Sequence, residues 1–377
     1  MLDPLKITQI VAPGVVGGAE SVVRGLAIGL LRRGHRSEVI GVVEPHEREH
    51  PFLASLTQAG VHVHELALHR RAYLKEARLV HRILKETRPH VLHSHGYRPD
   101  VLDAPLARWL GIPTVTTMHG SSLLGGKTVF HEWLQLKILG RFQGVIAVSR
   151  RLQIELQDAG VPADRVYCIP NGWVPAADPL PRSEARRALG LEPTGTVVGW
   201  VARLIRIKAC DVFLRAFAAC RGLPVRAVIV GEGTERESLG ALCAELGLEN
   251  QVTFFGAHDQ ASRLFPAFDV FVISSRSEGT PITLLEAMAA KVPVISTAVG
   301  GIPDVLGYDQ ALLVPPEDPA ALGLAIRQTM EDPAAARRRA DLAATRLEEE
   351  FSAERWLDSH EKLYRGIQAV GVPDYGD

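Results

Sequence analysis

The chain lacks any apolar run approaching the roughly 20 residues that a membrane-spanning helix needs, so no spanning helix is expected. Its opening segment, MLDPLKITQIVAP, reads as a strand and not as a signal peptide, which makes a cytoplasmic location the expectation. Cysteine is scarce. The four present, Cys168, Cys210, Cys220 and Cys243, have no C-x-x-C spacing and each falls in an apolar stretch. A disulfide framework or a zinc site is therefore disfavoured, and buried thiols in a reducing compartment are expected. Charge of one sign is missing too: the net charge is −1, and no nucleic-acid partner is expected.

What is present describes a globular enzyme. A chain of 377 residues exceeds the usual single-core limit, so two domains are expected, and 46 % hydrophobic with 23 % charged residues leaves nothing disordered on a large scale. The near-zero charge hides an asymmetry, with a balance of +6 up to Arg165 and −7 beyond it. Much of the excess lies in residues 69–88, HRRAYLKEARLVHRILKETR. There Leu74, Ala77, Val80 and Leu84 form one helical face, with Lys75, Arg78, Arg82 and Lys85 around the others. Two readings stay open: a core-packed helix with a solvated basic face, or a peripheral contact with anionic lipid on the inner face of the membrane.

Short β-rich runs alternate with helical patterns along both halves, which predicts parallel sheets wrapped on both sides. In the first half the runs include Leu5 to Pro13, Ser37 to Val43, Val61 to Leu66, Val91 to Ser94, Thr114 to Met118 and Val145 to Val148. The pattern lapses in the proline-rich stretch from Asn171 to Pro193, read as the interdomain linker, with Asn171 and Gly172 shaping a hinge. It resumes with Thr196 to Ala202, Val225 to Val230, Val252 to Phe255, Val270 to Ile273 and Val292 to Ser296. The expected domains are residues 1–172 and 173–350, with a cleft between them for substrates. After Pro319 the chain reads as almost wholly helical.

The most informative segment is EGTPITLLEAMA, Glu278 to Ala289. Thr280 suits an N-cap and Pro281 the first helical position, so the N–H groups of Ile282, Thr283 and Leu284 would face an incoming anion. Glu278 precedes this helix and Glu286 lies about one and a half turns inside it. Neither is placed to neutralise a phosphate, so both are expected to accept hydrogen bonds from hydroxyls. Hydroxyls flanking a diphosphate describe a nucleotide sugar.

At these residues the sequence resembles the retaining glycosyltransferases of family four, of the two-domain GT-B architecture. The resemblance extends through PGVVGGAE, VTTMHG, IPNGW and VARLIRIKACD, whose order and spacing together are specific. It implies an α/β fold of two Rossmann-like doubly wound domains facing each other across a cleft. The N-terminal domain would bind the acceptor and be completed by the terminal helix 351–377, and the C-terminal domain would bind the donor. By position, the resemblance gives Glu278 to the donor sugar and Glu286 to the ribose. Arg203 and Lys208 go to the diphosphate, where preplaced cations would stabilise the leaving group. Gly17 and Gly18 would offer N–H groups to the donor phosphate or the acceptor, and His119 would approach the donor sugar. Phe255 and Gly256 lie in the segment whose backbone reads the base, and Gly279 in the loop before the phosphate-binding helix.

The implied activity is transfer of a hexose-type sugar from a UDP- or GDP-type donor to a hydroxyl of a carbohydrate, glycolipid or small molecule, with retention. A front-face displacement is expected, because two-step retention needs a carboxylate against the anomeric carbon and Glu278 is assigned to more distant hydroxyls. No Asp-x-Asp motif is present, so no metal or other cofactor is expected, the helix dipole with Arg203 and Lys208 supplying the charge. Three other signals are weaker. His93 and His95 lack an acidic or cysteine partner at ligand spacing and read as structural. Gly231 and Gly233 follow a strand, but the third glycine of a dinucleotide fingerprint is missing. Ala202 and Ala209 stand where glycines often flank the Arg and Lys, which bears on the loop because Ala tolerates positive φ poorly. The rival classes are a sugar-nucleotide epimerase or pseudo-glycosyltransferase on the same architecture, and a non-catalytic nucleotide-sugar binding module.

Overall fold

Val- and Ile-rich runs separated by amphipathic segments become two all-parallel sheets in the computed structural model, which describes residues 3–14, 17–47, 49–120, 136–175, 178–258 and 260–370. Val15 and Val16 of the first glycine-rich segment and residues 371–377 of the expected terminal segment lie outside the described residues. The chain forms two compact units, Met1–Asn171 with Ala353–Asp377, and Gly172–Ser352. Each is an α/β unit with a Rossmann-like sheet.

The first unit contains β1 (Lys6–Val11), β2 (Arg36–Val43), β3 (His62–Ala67), β4 (Val91–His95), β5 (Thr114–Met118), β6 (Gly144–Ala147) and β7 (Val166–Cys168). Their order is β3-β2-β1-β4-β5-β6-β7. Successive residues of a strand feed opposite layers. Ile10 and Ile40 pack with Val80 and Leu84 of the helix Tyr73–Thr87, while Val11 and Val39 pack with Val23 and Ala27 of the helix Gly18–Arg32. The helix Ala353–Val370 joins this unit through Arg33, whose guanidinium reaches Asp358 and Glu361 at 2.7 Å each, and through the buried Tyr364.

The second unit contains β8 (Thr196–Val201), β9 (Val225–Val230), β10 (Val252–Gly256), β11 (Val270–Ile273), β12 (Val294–Thr297) and β13 (Leu312–Val314), in the order β10-β9-β8-β11-β12-β13. Val197 and Val201 pack with Leu284, Leu285 and Met288 on one face, and Val198 and Trp200 with Phe213 and Phe217 on the other. In both sheets the order reverses beside the first strand. Open sheets of this kind take ligands there, at the carboxyl ends of the strands. The reversal brings the loops after β1 and β4 together in the first unit, and those after β8 and β11 in the second.

Four sequence readings are corrected. The connector is not wholly linker: the helix Arg182–Ala188 lies within it, its Ala185 and Leu189 enter the core, and Arg186 is 1 % exposed. That guanidinium is satisfied by Asp269 at 2.8 Å and by the carbonyls of Pro193 and Gly195 at 2.9 and 2.8 Å. The unit boundaries fall at 171/172 and 352/353, because Phe351 is buried in the second unit's core and its carbonyl accepts from Trp173 N–H at 2.7 Å. The three-residue edge strands β7 and β13 are too short to show a period in the sequence, and Cys168 on β7 is only half-buried while the other three thiols are buried. On the helix Tyr73–Thr87 the buried face is Glu76, Val80 and Leu84, because Glu76 pairs with Arg98; Leu74 is 76 % exposed. No helix among the described residues is long and apolar enough to cross a membrane.

Candidate active site

Two loops meet where the second sheet reverses. The loop after β8 carries Arg203 and Lys208, and the loop after β11 carries Glu278. Ser274, at the end of β11, receives a hydrogen bond from the Trp200 indole at 3.0 Å and donates to the carbonyl of Ala209 at 2.7 Å. Arg276 adds a second tie, its N–H donating to Ile207 O at 2.8 Å and its guanidinium to Arg206 O at 2.5 Å and to both Asp211 oxygens at 3.0 and 2.8 Å. So clamped, Lys208 Nζ lies 2.7 Å from each oxygen of Glu278. Ser275 Oγ donates to Glu278 Oε1 at 2.6 Å. The Glu278 side chain is 7 % exposed, and a carboxylate that dry needs these partners. The sequence assigned Lys208 and Glu278 to different parts of a ligand; the structure brings them into contact with each other. Arg203 is exposed, with no ion-pair partner among the described residues.

Ala209 adopts the left-handed conformation, φ 51° and ψ 46°, between the 3₁₀ turn Arg206–Lys208 and the helix Cys210–Phe217. Alanine costs about 1 kcal/mol there. Its methyl is fully buried, which is worth about as much, so the missing glycine does not unsettle the loop.

Glycines shape both loops from behind. A Cβ on Gly231, φ +143°, would overlap the carbonyl oxygen of Ala202, and one on Gly233 that of Leu204. These two residues thus serve close backbone packing beneath Arg203, with Leu204 N–H donating to Glu232 O at 2.9 Å. Gly300 was not singled out from sequence. Its φ is +55°, a Cβ there would overlap the carbonyl oxygen of Glu278, and the next N–H, of Gly301, donates to the carbonyls of Glu278 and Gly279 at 3.3 and 3.1 Å. The paired glycines of AVGGIPD were the available signal.

The expected cap moves by one residue. The helix is Ile282–Ala289 and Pro281, φ −66° and ψ 128°, is its cap with no side-chain acceptor; Thr280 is buried outside it. Leu284 N–H bonds back to Pro281 O at 3.2 Å, which leaves the amides of Ile282 and Thr283 for an anion. Glu286 is half-buried on this helix. At the end of β10, Gly256 has φ +89° and its carbonyl accepts from Gly231 N–H at 2.8 Å. Phe255 beside it is half-buried, and the Arg236 guanidinium lies 4.1 Å from the centroid of the Phe254 ring.

In the first unit, Gly17 caps the helix that Gly18 begins. The Glu20 carboxylate accepts from Gly14 N–H at 2.7 Å and lies against Gly17. On β4 and just after β5 lies a set of buried rings. His93 contacts the Tyr364 hydroxyl at 2.7 Å and Thr117 Oγ1 at 2.8 Å, which bears out its structural use. His95 contacts Gln9 Oε1 at 3.0 Å and His119 Nε2 at 3.1 Å. Burial pushes the pKa of His119 and of His360 down to about 4, in the latter against a hydrogen bond to Trp356 O, and holds His93 and His95 well below the usual range.

Two doubly wound units, one with a charged pair at its switch point, define a protein of GT-B architecture. Residues 16–175 match the model of Glycosyltransferase Family 4, and residues 181–346 that of Glycosyl transferases group 1. The chain belongs to this glycosyltransferase family. It is 28 % identical to an uncharacterized glycosyltransferase of Methanocaldococcus jannaschii, over 86 % of this chain and 88 % of that one. It is 25 % identical to N-acetyl-alpha-D-glucosaminyl L-malate synthase of Bacillus anthracis, over 96 % and 97 %. Among solved structures, HepE of Anabaena in complex with UDP and glucose matches with a TM-score of 0.83 at 22 % identity, covering 96 % of this chain and 100 % of that one. Sucrose-phosphate synthase of Thermosynechococcus elongatus gives 0.82 at 22 % identity, covering 97 % and 99 %.

Replacing Gly300 with Ala should displace the Glu278 carbonyl and lower kcat/KM for glycosyl transfer at least ~10-fold, about 1.4 kcal/mol. A rate within about twofold of the parent would show that the loop does not depend on this approach. The buried histidines set a pH dependence of stability. Unfolded, each binds a proton near pH 6.5; folded, His119 and His360 do so only near 4. Their contribution is complete above 6.5 and is lost as pH falls towards 4, on the order of 1 kcal/mol for each by pH 5.5. The urea midpoint should therefore drop between pH 7.5 and 5.5, and an unchanged midpoint would contradict neutral burial.

Proposed function

We propose that the protein transfers a hexose from a nucleotide-diphosphate sugar to an acceptor hydroxyl, with retention and without a metal. The observation that carries this reading is the contact of Lys208 with Glu278 at the second unit's switch point, beside the amides of Ile282 and Thr283, which have no partner among the described residues. A diphosphate draws the ammonium from the carboxylate, and Glu278, kept oriented by Ser275, then accepts from sugar hydroxyls. Arg203 adds a planar, exposed cation for the leaving diphosphate. Together with the helix N-terminus these charges do what a metal would otherwise do for the leaving group. Glu286 holds the ribose, and the backbone around Phe255 and Gly256 meets the base. His119 faces the sugar.

Glu20 bears on the acceptor. Its carboxylate accepts from Gly14 N–H and lies beside Gly17, so an anion is repelled there and a hydroxyl is welcomed. We assign Gly17 and Gly18 to the acceptor, a carbohydrate, glycolipid or small hydroxylated molecule. The exposure of Tyr73 and Leu74 beside Lys75 and Arg78 supports the added proposal of peripheral contact with anionic lipid through residues 69–88.

The test is a thermal-shift panel of UDP, GDP, ADP and their sugars, followed by transfer to an acceptor panel with and without EDTA, reading nucleotide release and anomeric configuration. One donor should stabilise the fold by mass action, and EDTA should leave turnover unchanged. Loss of turnover in EDTA with the protein still folded would overturn metal independence; inversion would overturn the stereochemistry. Absence of stabilisation by every donor would overturn the whole reading. Lys208→Ala should lower kcat ~100-fold or more with a smaller rise in donor KM, because the charge it opposes grows along the reaction. An unchanged kcat would remove Lys208 from the chemistry.

A further inference from the structure

The histidine chain of the first unit has a direction that its own hydrogen bonds fix. Gln9, fully buried on β1, donates its side-chain N–H to the carbonyl of Val23 at 3.3 Å. A peptide carbonyl can only accept, so the amide orientation is set and Oε1 faces His95 Nε2 at 3.0 Å. An amide oxygen can only accept as well, which places the proton of His95 on Nε2. His95 is fully buried among other rings, where burial favours the neutral form, so its Nδ1 is a lone pair. That lone pair faces His119 Nε2 at 3.1 Å, which places the proton of His119 on Nε2 in turn. Neutral His119 then carries a lone pair on Nδ1, and this buried atom has no partner among the described residues. Reversing the chain would set two acceptors face to face at Gln9 and His95.

We propose that Gln9, acting through His95, holds His119 in the Nε2–H tautomer so that its Nδ1 accepts a hydrogen bond from a substrate hydroxyl. Gln9 and His95 are positioning residues; His119 is the group that touches the ligand. The site is selective in consequence. It takes a group that offers a proton and rejects one that only accepts, such as a carbonyl, an ether or a fluorine. The identity of the ligand as a sugar rests on the glycosyl-transfer reading, whereas the tautomer rests on the hydrogen bonds and on the burial that keeps the rings neutral.

His93 packs beside the chain, its ring 4.2 Å from that of His95, but spends both nitrogens on Tyr364 and Thr117 and does not join the relay. His360 likewise turns its Nδ1 to the Trp356 carbonyl at 2.8 Å. The relay is therefore a single file of three side chains, one from each of β1 and β4 and one just beyond β5.

The experiment uses the full chain with ¹⁵N-labelled histidine and a long-range ¹H–¹⁵N correlation spectrum, His119 being assigned by its loss in His119→Asn. The expected spectrum shows His119 with Nε2 protonated and Nδ1 bare. A proton on Nδ1 in the parent protein overturns the proposal whatever the activity. In Gln9→Met, which keeps the volume and removes the acceptor, His119 should become a mixture of tautomers. Singly deoxyfluorinated donors and acceptors supply the second readout. One position should lose ~10-fold or more in kcat/KM with the parent enzyme, and that loss should shrink in Gln9→Met and vanish in His119→Ala. A fluorine penalty untouched by Gln9→Met overturns the positioning role. Should no sugar be transferred at all, the spectrum still decides the tautomer, and the failure belongs to the functional reading. Should Gln9→Met not fold, the parent spectrum and His119→Ala carry the test.

Discussion

A lysine ammonium and a glutamate carboxylate, drawn together at the point where the second sheet reverses its strand order, set the requirements that the surrounding loops meet. Neither group sits easily there alone: the Glu278 side chain is 7 % exposed and Lys208 is half-buried, and removing one partner would leave the other charge dry and unpaired. Holding them in contact requires two loops from adjacent strands at a fixed separation. The side chains that accomplish this lie outside the pair itself. Trp200, Ser274 and Arg276 tie one loop to the other, and Gly231 and Gly300 let neighbouring backbone approach closely enough to support each. The charged pair is thus a property of the β8 and β11 ends as a whole, and a rigid strand framework is what gives it precision.

The sequence made the alternation of strands and helices legible because the strands are covered on both faces and so appear as short, nearly continuous apolar runs. It also exposed Glu278, which stands before a glycine- and proline-marked helix start, whereas Arg203 and Lys208 came only from the family resemblance of VARLIRIKACD. The remainder was hidden for physical reasons. Gly300 is one of many glycines, and only its approach to the Glu278 carbonyl distinguishes it. The helix after Glu278 starts one residue late because Pro281 keeps an extended ψ, a choice that the TP pair leaves open. Arg186 reads as a surface residue of a linker, and its burial depends on Asp269, more than eighty positions away. Leu74 and Glu76 exchange places on their helix because an arginine from another segment neutralises the acid.

The two units place different chemistry at equivalent topological positions. In the second, the loops following the central strands carry full charges and a helix N-terminus, which suit an anion whose charge grows during reaction. In the first, the same positions present a glycine amide bonded to Glu20 and a row of neutral imidazoles. Burial keeps those rings uncharged, so they contribute directional hydrogen bonds without a field that would compete for a diphosphate.

That division has a consequence for the rings themselves. A neutral imidazole is a useful recognition group only if one tautomer prevails, because an equal mixture offers a lone pair half of the time and a clashing N–H for the rest. Solvent would randomise it. A peptide carbonyl cannot be randomised, and the carbonyl of Val23, inside a packed helix, is the fixed point from which the Gln9 amide, His95 and His119 take their orientation in turn. The same β1 strand that sets the sheet's reversal therefore also sets, through the proposed relay, the polarity of the ring just after β5.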